Sequence, residues 1–423
     1  MGNVLYDILI GVAIGLLVPL FVFVFRYLRR KFRGYSRCVF LHSAEEINEK
    51  ISNLDFLRFE RGKQLDGTLL HELYEKDMRS ITIRDANNRR TIKIPYLEVI
   101  NFIQHPDTKI HIEPLAITEE FDLSEHLNEA TEPALNDVLT RKPHTTDDSH
   151  PRMASLEKVG ENEYCCSFER TTYFKQIRTN LTMDYPIEVE NEGETTNRHM
   201  EIRRMAQADH DASMKVADPG THPYTLPSLS ESGLANVVGV SAIWCMGQAG
   251  KRKYYLLPRK QNVGVYENRL GMPSGDIECP QNNVFPNDSL IDFLEWEIAR
   301  EFAEETGIAD IDKDFELYSK PIDEKKIYHR TKMKIIPLAF LREMLRGGKP
   351  QMFFLIRTED IDEKTLQNSF KKSLGNLEFS NSYFTSAKLS TEVACNYLYA
   401  QAYLQHCDLD NDCVDVSRVR INE

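Results

Sequence analysis

Four glutamates, Glu297, Glu301, Glu304 and Glu305, recur at positions i, i+4, i+7 and i+8. At about 100 degrees per residue this spacing gathers them on one helical face. Like charges four residues apart weaken a helix slightly, so such a face gains if a cation sits on it. Carboxylate oxygens converging on one point are hard ligands suited to Mg²⁺ or Mn²⁺, and such ions neutralise phosphate oxygens. On spacing alone, a solvated acidic face is the stronger competing reading.

The segment Asn287 to Ile308 that carries these residues reads as one capped helix. Asp288 or Ser289 can cap its start, and Gly307 stands where a helix end needs positive φ. Ile291, Leu294, Ile298 and Phe302 form the apolar stripe that must pack on a core. Upstream, Val237 to Met246, a turn at Gly247 to Gly250 and Tyr254 to Leu257 read as a hairpin. Further strands are expected at Lys332 to Ile336 and Met352 to Ile356, and a Ser390-capped helix at about Thr391 to His406.

The string Arg300-Glu301-Phe302-Ala303-Glu304-Glu305-Thr306-Gly307-Ile308 resembles the core of the Nudix box at every fixed position, and Met272-Pro273-Ser274-Gly275 resembles the strand-to-loop signature before it. The resemblance implies an α/β/α sandwich over roughly residues 230 to 423. It implies that Glu301, Glu304 and Glu305 bind Mg²⁺ or Mn²⁺, that Glu301 or Glu305 orients the attacking water, and that Arg300 braces the carboxylates. The reaction of that family is hydrolysis of a nucleoside diphosphate linked to another moiety. Arg259, Lys260 and Arg269 are candidates to meet the phosphates, with solvated surface charge as the alternative.

The first half of the box departs from the pattern. Counting back from Arg300 puts Asp292 where a glutamate belongs and Pro286 where the glycine belongs, so Gly275 serves only if eleven extra residues are looped in. The departure bears on turnover, because that loop normally helps build the metal site. Together with the segment Thr171 to Asp184 (TTYFKQIRTNLTMD), the run Arg346-Gly347-Gly348-Lys349-Pro350 and the N-terminus described next, the chain is similar to the SMODS-associated Nudix domain proteins. These occur as transmembrane effectors of bacterial CBASS antiphage systems.

Ile8 to Phe25 runs for 18 residues without a charge. At about 1.5 Å per residue this makes roughly 27 Å of helix, close to one hydrocarbon core. Arg26, Arg29, Arg30, Lys31, Arg33 and Arg37 follow it, which places the rest of the chain on the cytoplasmic side. A cleaved signal peptide would carry its charges before the apolar run. Gly11 and Gly15 have the small-xxx-small spacing that lets two helices approach, so homo-oligomerisation is expected there, with chance composition as the alternative. The net charge of -13 disfavours DNA as a partner. The eight scattered cysteines read as reduced cytoplasmic thiols.

The expected organisation is α+β: an anchor with its basic segment at 1–36, a small α+β or spacer unit at 37–125, a polar linker at 126–155, and a Nudix-type domain with an N-terminal extension at 156–423. Two functions follow. In one, the Nudix pocket senses a cyclic nucleotide made by a partner nucleotidyltransferase and acts at the bacterial inner membrane, causing abortive infection. In the other, the anchor merely places a metal-dependent diphosphohydrolase there.

Overall fold

A computed structural model describes residues 41–54, 56, 74, 76–84, 88–189, 198–203, 226–247, 251–260, 269–313, 319–373 and 388–416. The expected membrane span at 8–25, with Gly11 and Gly15, lies outside them, as does most of the turn at 247–250. Among the described residues no helix is long and apolar enough to cross a membrane.

The architecture is α+β, built on a mixed sheet of seven strands: β1 (Leu41–Ser43), β2 (Tyr96–Asn101), β3 (Gly239–Met246), β4 (Lys253–Tyr255), β5 (Ser274–Asp276), β6 (Met333–Glu343) and β7 (Lys349–Thr358). Their order is β1-β4-β3-β7-β6-β2, and β5 pairs with β3 beside β4. Strands β3 and β7 run parallel, and every other pair in this sheet is antiparallel. All eight residues of β3 are buried, as a central strand covered on both faces requires.

Six helices are described: α1 (Ala44–Ser52), α2 (Glu125–Arg141), α3 (Tyr173–Arg178), α4 (Leu290–Thr306), α5 (Glu363–Lys372) and α6 (Thr391–Gln405). Alternation along β3 sorts them into layers. Val240, Ala242, Trp244 and Met246 pack with Leu290, Leu294, Ile298 and Phe302 of α4. Ile243 and Cys245 face the other way and pack with Val393, Tyr397 and Ala400 of α6. The sheet therefore lies between α4 and α6.

The apolar stripe of α4 is broader than its sequence spacing indicates: Leu290 and Phe293 join the core, while Ile291 is only partly buried against it. The side chain of Ser289 accepts from Asp292 N–H at 3.3 Å, and Gly307 ends the helix at φ 71°. Helix α6 matches its expected bounds to one residue, with Ser390 accepting from Val393 N–H at 3.1 Å.

Two expectations are corrected. The span 126–155 is no linker: it holds most of α2 and the first part of the strand Ser149–Lys158. Leu127, Thr131, Ala134 and Leu135 are buried at helical spacing, and Leu127 and Ala134 pack with Met183, Ile202 and Leu234. A short stripe of four buried residues at the right period carries this packing, which a polar composition hides. Pro133 is tolerated within the helix, and Pro151 sits in the edge strand of a small sheet formed by Lys109–Ile112, Glu163–Thr172 and Ser149–Lys158. Nor is 37–125 a separate spacer, because β1 and β2 are the two edges of the central sheet.

Candidate functional site

Helix α4 holds its glutamates at the edge where β5 crosses the end of β3. Arg300 is the hub, with 3% of its surface exposed. Its guanidinium donates to Glu304 at 3.0 Å, to Glu297 at 3.2 Å and to Glu301 at 2.5 Å. Glu297 is fully buried and also accepts from Glu278 N–H at 2.8 Å and from the Ser319 hydroxyl. Among the described residues, Arg300 Nε is buried with no hydrogen-bond partner.

Three carboxylates thus share one guanidinium. Burial pushes the Glu301 carboxyl up from its ordinary 4.5 to about 7; Arg300 pulls it down, while Glu304 and Glu297 push it further up. Burial opposes the charge on Arg300, but Glu301, Glu297 and Glu304 outweigh it and hold the guanidinium protonated. Arg300 braces the carboxylates here through ion pairs to three of them, not through one.

Strand β5 closes the site from above. A methyl group at position 275 would fall 2.3 Å from Glu301 Cδ, so glycine lets the backbone lie on that carboxylate while Glu301 keeps its place beside Arg300. The neighbouring Ser274 N–H donates to Glu305 at 3.2 Å. Glu305 also borders a narrow cleft lined by Tyr255, Leu257, Met272, Pro273 and Thr306. Gly275, and not the exposed Pro286, therefore meets the helix.

The segment between β5 and α4 is held by a clasp. Ile117 N–H donates to Asn283 O at 2.8 Å, Phe285 N–H to Leu115 O at 2.9 Å and Ile112 N–H to Asp288 O at 2.8 Å. His111 Nδ1 lies 3.0 Å from Asp288 Oδ2. Phe285 fills the core between Phe168 and Phe293, each ring centroid 4.9 Å away. Asp292, at the position of the expected glutamate, lies in the first turn of α4.

No model of a known protein family and no curated protein matches this chain.

Desolvated carboxylates in excess over one guanidinium fit a hard cation by chemistry and charge, with Arg300 as the partner it has to displace. Among the described residues no group of three or more His, Cys, Asp or Glu is arranged as a ready metal cage. The structure brings Arg300, Glu301 and Glu304 together, with Glu305 one hydrogen bond from the closing strand.

Arg259 and Arg269 lie side by side, Arg259 N–H donating to Arg269 O at 2.8 Å. The charge of Arg259 is felt at Glu392 in the first turn of α6. That places it near a second buried polar network on the α6 side of the sheet. There Lys349, fully buried, lies 2.7 Å from Asp276, and Gln176 Nε2 donates to Asp276 at 2.7 Å. Burial pushes the Asp276 carboxyl up, but Lys349 and Arg346 outweigh it and hold it below its ordinary value. Gln351 donates to Glu392 at 3.0 Å and to the Ser241 hydroxyl at 3.2 Å, and Asn396 donates to Ser241 O at 3.1 Å.

Glu297 stood on the glutamate stripe, but its place as a full partner of Arg300 is visible only in three dimensions. Gln176 and Lys349 sit within the two segments that carry the subgroup resemblance, though nothing in their spacing says they meet.

Proposed function

We propose that this chain is a membrane-anchored protein of Nudix type whose α4 carboxylates and overlying β5 strand form a nucleotide-binding site. The anchor at 8–25 holds it in the bacterial inner membrane with the C-terminal part cytoplasmic, and self-association runs through Gly11 and Gly15. The ligand is a cyclic nucleotide made by a partner nucleotidyltransferase, and its binding drives an antiphage effector function at the membrane. The supporting observation is the seating of Gly275 on Glu301, which keeps helix and loop together despite the eleven-residue insertion.

Glu301, Glu304 and Glu305 would hold Mg²⁺ or Mn²⁺, and a bound ion supplies Lewis-acid stabilisation of phosphate oxygens. Arg300 orients Glu301 and Glu304 and releases them as the positive charge they need arrives from elsewhere. Strand β5 keeps water off Glu301, whose side chain is 14% exposed.

A metal-dependent diphosphohydrolase is the second reading. It is favoured by the Glu301 carboxyl at about 7, where a base can take a proton from water near neutral pH. Full-length protein in detergent micelles, titrated with cyclic oligonucleotides and with linear nucleoside diphosphate compounds, separates the two. Tight binding of a cyclic ligand without turnover supports the sensor. Turnover of a linear compound, lost in Glu304→Gln, with no cyclic ligand bound, overturns it in favour of the hydrolase.

A further inference from the structure

Strand β5 has two faces, and they serve different partners. Gly275 points at α4 and lies on Glu301, while Asp276 stands opposite Gly239 on the α6 side and meets Lys349 and Gln176. We infer that Gln176 and Lys349 are positioning residues for the carboxylate site, acting through Asp276 to set how closely β5 seats on Glu301 and Glu305. The inference rests on reading the α4 carboxylates as the binding site.

Three observations carry it. First, β5 is a three-residue edge strand whose backbone is tied to β3 from Pro273 O, which accepts from Ala242 N–H at 2.9 Å, to Ile277 N–H, which donates to Val238 O at 3.0 Å, so the ladder fixes β5 to β3 and leaves its seating on α4 to side chains. Second, the clamp on Asp276 comes from two buried side chains, an ion pair from Lys349 and a hydrogen bond from Gln176. Lys349 is fully buried and Gln176 is 0% exposed, so neither can swap its partner for water without loss. Third, the clamp is built from afar. Lys349 follows a turn at Met344 to Gly348 whose carbonyls are held by Arg203, Asn180 and Arg342. Gln176 comes from α3, and the strand Ser149–Lys158 also reaches the segment after β5, His150 Nδ1 lying 3.0 Å from Ile277 O.

Gly239 fits this role. A methyl group there would fall 2.6 Å from Lys349 Nζ and 2.0 Å from Gln351 Oε1, so its absence makes room for the lysine under β5. The consequence is that a segment distant in sequence fixes the geometry of the glutamates. A site held to within about half an ångström by supporting side chains loses much of its affinity when that support goes.

The test uses the full-length protein in detergent micelles and Mn²⁺ as the probe, read by the loss of free-ion EPR signal. Gln176→Leu is expected to weaken Mn²⁺ binding about tenfold, a free-energy difference near ~1.4 kcal/mol, with the fold retained in circular dichroism. A companion measurement needs no substitution. By reciprocity of coupled equilibria, Mn²⁺ is expected to slow amide hydrogen exchange at 274–276 and also at 173–178. Unchanged Mn²⁺ affinity in a folded Gln176→Leu protein overturns the inference alone. So does exchange at 173–178 that Mn²⁺ leaves unaltered, and this reading stands even if the variant does not fold. Absence of Mn²⁺ binding to the unsubstituted chain overturns the binding-site reading and the inference with it.

Discussion

The Cα of Gly275 lies over the Glu301 carboxylate so closely that a methyl group there would fall 2.4 Å from Glu301 Oε2. A backbone strand thereby covers a carboxylate that already shares Arg300 with Glu297 and Glu304. Seating, ion pairing and desolvation at Glu301 are one arrangement, and each can be disturbed separately.

Gly275→Ala forces Glu301 or β5 to move, and Glu301 is tied to Arg300. The expected cost is about 1–3 kcal/mol of stability, as for other overpacked sites. Thermal unfolding monitored by circular dichroism measures it, and an unchanged midpoint would show that β5 is free to lift.

Arg300→Met keeps the length of the side chain but leaves three carboxylates facing one another in a buried site. Removing one partner of a buried ion pair costs roughly 3–5 kcal/mol. Denaturant unfolding at pH 8 should show this loss, and it should shrink as the pH falls and the carboxylates take up protons.

The pH dependence of stability has a definite sign at Glu301. Its folded carboxyl titrates at about 7 against an ordinary 4.5, so the folded state binds a proton that the unfolded state has already released. The contribution is fully present below about 4.5 and is lost as pH rises through about 7. Glu301→Gln, which stays neutral, should therefore gain on the parent by roughly 1–3 kcal/mol between pH 5 and 8. Parallel stability curves for the two proteins over that window would refute the shift.

Phe285 belongs to the segment between β5 and α4, yet it is 2% exposed and lies between Phe168 and Phe293. Phe285→Ala should cost about 3–5 kcal/mol, the range of a buried aromatic truncation. A loss below ~1 kcal/mol would mean that this segment hangs free of the core.

The helix α4 was legible in the sequence because its signals are local: a hydroxyl at the start, a glycine at the end, and apolar and acidic residues at helical spacing between them. The same holds for α6, where Ser390 caps the expected helix. Helix α2 was not legible, since its buried stripe is short and its partners Met183, Ile202 and Leu234 are remote in sequence. Composition averaged over 126–155 conceals such a stripe.

By itself, then, the sequence determined which carboxylates share a helical face, because that follows from periodicity, whereas Gly275 was singled out only by the resemblance of its segment to a known motif. Tertiary structure alone decided that Arg300 binds three of those carboxylates, that Glu297 is one of them, and that the segment between β5 and α4 is clasped by residues 111–117. It also decided that Gln176 and Lys349 meet at Asp276. The reason is physical. A helix period is written in neighbouring residues, whereas desolvation, ion pairing and strand seating depend on which distant segments the core brings to the same place.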